Sequence, residues 1–346
     1  MTDTSPIQVS AAGATPSLST DGLGIFELQE PFVEPLLRMF RLTNTALDVL
    51  FYDVGALTAA LWARGTRVDT GLAANSAAAP HPLETLDLSA LTNPSGSVIV
   101  VDANLAPYVK EPYRDMKQFF DYANGPEGAG LHTLAITGVG SSAFGSVAFA
   151  WDISAAFGEP VAAVVPGYGL ADVVPQALGG WFGFEMYDVL QTATQEWLAH
   201  VAPRLARIGK DLALSTPGRK LAPTGAPVFR QGSAASDDLH AILQNVPGIS
   251  RLVGHSKGAL AIENALRSLS PARAENLSVL TFGCVISEEI GHQNYVQYLG
   301  WIDALGILNS SGHVPEFRPF THHSTNTFIP LSMPVAKLMS GGREAG

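Results

Sequence analysis

From residue 131 onward, runs of β-branched and small apolar residues alternate with stretches of helical pattern, and this alternation constrains the fold more than any other feature of the chain. "LHTLAITGVG" and "PVAAVVPGYG" read as strands ending in glycine turns, with "FGSVAFAWDISAAFG" as a helix between them. After a long insertion come "SDDLHAILQNV" as helix, "ISRLVGH" as strand, "KGALAIENALRSL" as helix and "LSVLTFGCVIS" as strand. Parallel neighbours need a crossover connection, usually a helix, so this order predicts an α/β protein with a mostly parallel sheet flanked by helices. Upstream, "SGSVIVVDAN" adds a short buried strand.

The remaining composition narrows the class. A chain of 346 residues with 47% hydrophobic and 15% charged residues can bury a substantial core. It holds no uninterrupted apolar run of the ~18 residues that a membrane span requires, so no stable membrane insertion is expected. The net charge of −11 argues against nucleic acid, whose binding depends on Lys and Arg displacing condensed counterions. The N-terminal "MTDTSPIQVSAAGATPSLSTDG" lacks a positive charge followed by an apolar core; residues 1–30 read as a disordered arm and the chain as cytoplasmic, with which the single cysteine, Cys284, is compatible. Residues 31–130 read as an N-terminal helical extension with the first strands, and 131–346 as the α/β core. In the extension, Val33, Leu36, Leu37, Phe40, Leu47, Leu50, Phe51, Val54 and Leu61 form one apolar helical face. Arg38, Arg41 and Arg64 are offset there by Glu34, Asp48 and Asp53, which favours core or homo-oligomer packing over a membrane surface.

One stretch carries chemistry. "RLVGHSKGALAIENAL" places Ser256 between Gly254 and Gly258, where Ile249, Leu252 and Val253 build toward a strand end and Ala259, Ile262, Ala265, Leu266 and Leu269 mark a helix face. A sharp strand-to-helix turn strains its junction residue and exposes the side chain there, while flanking glycines leave room for the close packing. Ser256 is thereby the candidate nucleophile, and the backbone N–H of Lys257 at the helix start is a candidate oxyanion donor.

Three short motifs, in order, give the region 130–330 its resemblance to the α/β-hydrolase family: "LAITGVGSSAFGS" looks like the oxyanion strand and loop, "VAAVVPGYGLAD" like the next strand and its turn, and "LVGHSKGALA" like the nucleophile elbow of lipase-like members. The resemblance implies a backbone N–H of Val139 as second oxyanion donor. Thr137 stands where the family usually has histidine, a departure that bears on the loop conformation rather than on the backbone donor. It also implies a cap over the site from the insertion at about 170–236, where Trp181, Phe182, Phe184 and Tyr187 suit a lid or an acyl pocket. No motif calls for a cofactor or a metal.

A serine hydroxyl needs a base, and imidazole suits proton exchange near neutral pH. His292, His313, His322 and His323 follow Ser256, and the family order of serine, acid, histidine directs attention to the pair His322 and His323 in "FRPFTHHSTNTFIP". His323 is favoured over His322, because Ser324, Thr325 and Asn326 follow it as hydrogen-bonding partners. Asp303 is the only aspartate between Ser256 and His323 and the leading acid, ahead of Glu288, Glu289 and Glu316; the competing role for Asp303 is the N-cap of a helix from Ala304. The expectation is a serine esterase of lipase-like type acting on a small-molecule or lipid-like ester. A thioesterase or acyltransferase using the same residues, or a non-catalytic binding or surface-associated protein on the same scaffold, are the alternatives.

Overall fold

A computed structural model of the chain describes residues 30–72, 84–93, 96–104, 108–110, 112–138, 140–166, 234–287, 294–310 and 312–341. Two helices, α1 (Glu30–Phe51) and α2 (Val54–Trp62), precede a small parallel pair, β1 (Thr66–Asp69) and β2 (Glu84–Asp87). Then come β3 (Val98–Asp102), β4 (Tyr108–Val109), α3 (Met116–Ala123), β5 (Thr133–Ile136), α4 (Ala143–Phe157) and β6 (Val161–Val164). The C-terminal half adds α5 (Ala234–Asn245), β7 (Arg251–His255), α6 (Lys257–Arg267), α7 (Pro271–Ala274), β8 (Ser278–Phe282), β9 (Tyr295–Tyr298), α8 (Ala304–Asn309) and α9 (Val335–Gly341).

The main sheet has seven strands in the order β4-β3-β6-β5-β7-β8-β9. All neighbours run parallel except β3, which is antiparallel to both β4 and β6. The α/β architecture expected from the alternation is therefore present, with a mostly parallel sheet flanked by helices. The upstream strand "VIVVD" is buried as expected, and it belongs to this same sheet rather than to a separate N-terminal body.

Strand side chains alternate between faces, and the core divides accordingly. Val98 and Val100 of β3, Leu134 and Ile136 of β5 and Leu252 of β7 pack with Phe119 of α3, Ile242 of α5 and Ile262 of α6. Ile99, Val101, Ala135 and Val253 face the other way, onto Leu57 of α2, Phe149 of α4 and Met339 of α9. With both faces covered, the strands carry continuous apolar runs rather than an in-out alternation. Each buried Val, Leu, Ile or Phe contributes roughly 1.5–3 kcal/mol, so the two clusters hold the sheet rigid beneath the loops at its edge.

The single apolar helical face expected over residues 33–61 is divided between two helices, bent by 92° where Arg41–Phe51 meets Val54–Trp62. Two sets of contacts, one local and one from far along the chain, account for the break. Asp53 caps α2, its Oδ1 accepting from the N–H of Ala56 at 3.3 Å, and the last carbonyls of α1 are taken by side chains from residues 324–326 instead of by further helix. Leu57 and Leu61 of α2 enter the core, while Leu47 and Leu50 of α1 stay exposed. No single helix among the described residues is long and apolar enough to cross a membrane. The arm at 1–30, apart from Glu30, and the insertion at 170–236, apart from the first residues of α5, lie outside the described residues.

Candidate active site

Ser256 stands between the end of β7 and the start of α6, with φ 55° and ψ −131°. Such a backbone costs a non-glycine residue of order 1–3 kcal/mol, and it turns the hydroxyl out of the sheet. Ser256 is one of two non-glycine residues with positive φ among the described residues, the other being Leu331. The glycines beside it are required by close approach. A methyl at Gly254 would stand 2.8 Å from the Ala259 backbone, and one at Gly258 would stand 2.5 Å from the carbonyl oxygens of Ile136 and Thr137. The short Gly-x-Ser-x-Gly spacing thus lets α6 lie directly on β7 and β5.

The remaining parts come from the ends of neighbouring strands. After β5 the chain passes Gly138, whose missing methyl would lie 3.4 Å from Ser256 Cβ, 3.6 Å from its Oγ and 3.9 Å from the backbone nitrogen of Lys257. Lys257 opens α6, so its N–H is at the positive end of that helix dipole. Val139 lies outside the described residues.

Asp303 follows β9 and is 1% exposed. His323 Nδ1 is 2.9 Å from its Oδ1 and 3.0 Å from its Oδ2, so the ring N–H is donated to the carboxylate and Nε2 is left as the basic nitrogen. Oδ1 also accepts the Gly306 N–H at 2.7 Å, capping α8. Asp303 therefore caps α8, one of the roles weighed from the sequence, while the same carboxylate holds His323 Nδ1. Phe51 meets the His323 ring edge-on with centroids 6.0 Å apart.

His322 is turned away, although it is the next residue. Its Nε2 faces the Pro330 carbonyl at 2.9 Å, to which it donates, and its Nδ1 accepts from the Ser324 N–H at 3.0 Å. The neighbours expected to orient the histidine instead bind the end of α1. Glu316 accepts from the Gln297 N–H at 2.7 Å, His313 is exposed, and Glu288, Glu289 and His292 lie outside the described residues.

Ser256, Lys257 and His323 line one cavity of about 150 Å³, together with Leu47, Asp48 and Phe51 of α1, Tyr52 just after it, Gly138 and Ser141 after β5, and Leu305 and Asn309 of α8. This volume is about half of the ~300 Å³ or more usual for a drug-sized ligand. Among the described residues, no group of three or more His, Cys, Asp or Glu could hold a metal ion.

Three contributors were not singled out from the sequence. His255, 1% exposed, lies between Ser256 and the core; its Nε2 is 2.9 Å from the His323 carbonyl oxygen and its Nδ1 is 3.0 Å from the Tyr52 hydroxyl. A carbonyl only accepts, so the proton sits on Nε2 and the Tyr52 hydroxyl donates to Nδ1. Burial, reinforced by the nearby His323, lowers the pKa of His255 to about 3, which keeps the ring neutral. Asp48, 2% exposed, accepts from the hydroxyls of Ser141 at 2.7 Å and Ser142 at 2.5 Å and from the N–H groups of Ser142 at 3.0 Å and Gly145 at 3.1 Å. Desolvation outweighs these four bonds and raises its pKa to about 7. The available signal was a polar pair, Asp48 and Tyr52, spaced one helical turn apart within an otherwise apolar stripe.

Fold and site together define a mostly parallel α/β sheet protein with a serine at a strained strand-to-helix turn and a buried aspartate–histidine pair beside it. Comparison with protein-family models, curated proteins and solved structures gave no match.

Proposed function

We propose that the chain is a serine hydrolase of the α/β-hydrolase type, cleaving carboxylic esters by way of an acyl-enzyme. The observation that carries this is the shared cavity of Ser256, at its positive-φ turn, and His323, whose Nδ1 is held by Asp303. In the reaction Ser256 Oγ attacks the ester carbonyl while His323 Nε2 takes its proton and then delivers it to the departing alkoxide. Water repeats the sequence on the acyl-enzyme, returning the serine. Asp303 fixes the tautomer of His323 and stabilises the imidazolium formed in each half. The N–H of Lys257, with that of Val139, would hold the carbonyl oxygen as it becomes an oxyanion.

Leu47, Phe51 and Leu305 in the cavity wall favour a small-molecule or lipid-like ester as substrate. Action in the cytoplasm fits the unpaired, buried Cys284. A fluorophosphonate should add to Ser256, identified by peptide mapping. Ser256→Ala should abolish the adduct and lower p-nitrophenyl ester turnover by about a thousandfold or more, with the thermal midpoint retained. Unchanged turnover in folded Ser256→Ala removes the mechanism.

A further inference from the structure

The geometry points to the last turn of α1 as a positioning element of this site, in which Tyr52 and Asp48 hold the oxyanion loop and Tyr52, through His255, holds the catalytic histidine. The inference rests on the hydrolase reading above. Asp48 and Tyr52 are four residues apart and face the same way from the helix end. Tyr52 accepts the Gly138 N–H at 3.2 Å, and Asp48 accepts from Ser141, Ser142 and Gly145. One helix turn therefore grips both ends of the loop 138–142. The Tyr52 hydroxyl continues to His255, and His255 to the carbonyl of His323 itself.

The histidine loop grips the same turn from the other side. Ser324 Oγ donates to the Leu50 carbonyl at 2.5 Å, Asn326 Nδ2 to that of Val49 at 2.6 Å, and both the N–H and the hydroxyl of Thr325 to that of Phe51 at 2.8 Å. The oxyanion loop, the nucleophile turn and the histidine loop come from separate parts of the sequence, yet each is referenced to residues 48–52. The Tyr52 hydroxyl is engaged by His255 Nδ1 and the Gly138 N–H, so the role inferred for it is one of position. Position is decisive here, since a displacement of about 1 Å can cost about 100-fold in rate. A purely structural network would stabilise the fold without altering how fast folded protein reacts.

The test compares wild type, Tyr52→Phe, Asp48→Asn and Thr325→Val, the last removing one hydroxyl while its N–H keeps the bond to Phe51. Thr43→Ala, which loses an exposed hydroxyl bound to the Met39 carbonyl on the same helix, is the control. The readouts are the rate of fluorophosphonate addition to Ser256, kcat and KM for a p-nitrophenyl ester, and the thermal midpoint. Tyr52→Phe and Asp48→Asn should lower the addition rate and kcat about tenfold or more, Thr325→Val about threefold, with KM within about twofold and Thr43→Ala unchanged. Thr325→Val keeps the question answerable if the other two unfold. Wild-type addition rates in the folded variants, whatever their midpoints, overturn the positioning role while leaving the hydrolase reading intact. A wild-type Ser256 that does not react removes the nucleophile, and the inference with it.

Discussion

At the scale of single residues, one oxygen of Asp303 serves both the Gly306 N–H, where it caps α8, and His323, the base in the proposed mechanism. Asp303→Asn keeps an oxygen for the cap but gives His323 a poorer partner for its imidazolium. Ester turnover should fall by about 10³–10⁴-fold with a small change in thermal midpoint. Asp303→Ala should lose turnover similarly and about 1–2 kcal/mol of stability in addition. Near-normal turnover in Asp303→Asn would detach the carboxylate from the chemistry. The two adjacent histidines should separate sharply: His323→Ala inactive, His322→Ala within about threefold of wild type, because His322 spends both ring nitrogens on its own turn. Comparable losses in both would contradict that assignment. Ser256 could be singled out from sequence because its cue is local, a glycine pair around a strand-to-helix junction. Choosing between His322 and His323 depended on Asp303, 20 residues away, and on the Pro330 carbonyl, neither of which a local pattern encodes.

At the scale of elements, the break between α1 and α2 is what the apolar periodicity could not give. The hydrophobic positions run through Tyr52 and Asp53 in register, but the helix ends there because side chains from residues 324–327 take its carbonyls and the Asp53 carboxylate. The network around this turn holds two groups with opposed pH behaviour, Asp48 on the helix and His255 at the end of β7, bound to the Tyr52 hydroxyl. Native Asp48 keeps its proton up to about pH 7, whereas the unfolded residue releases it near pH 4, so its contribution to stability falls as pH rises through that window. Native His255 stays neutral down to about pH 3, whereas the unfolded ring takes a proton below about 6.5, so its contribution falls as pH drops. Between about pH 4 and 6.5 the two offset one another. Asp48→Asn removes only the first, and its stability relative to wild type should therefore improve by about 2–4 kcal/mol as pH is raised from 4 to 7. Urea midpoints at several pH values measure this, and parallel profiles for the two proteins would show that Asp48 does not titrate in that range.

At the scale of the whole molecule, the parallel sheet was legible because alternating strand and helix patterns leave few other solutions, and the strands are buried on both faces as continuous apolar runs imply. The antiparallel placement of β3 beside β6 was not legible, since a buried strand reads alike in either direction. Nor was the part played by the N-terminal extension, for residues 48–53 make their decisive contacts up to 277 positions further along the chain. Those separations bear on the history of each molecule. Bringing such distant segments together requires closing a very long loop, and contacts of that kind slow folding. During synthesis the serine and the segment of its strand-to-helix turn are made well before residue 327 has been added, while the end of α1 still lacks its clasp and Ser256 the Asp303–His323 pair. If Ser256 is the nucleophile proposed above, a nascent chain carries it in a silent form, and its partners arrive only when the far end of the polypeptide has returned to meet the near one.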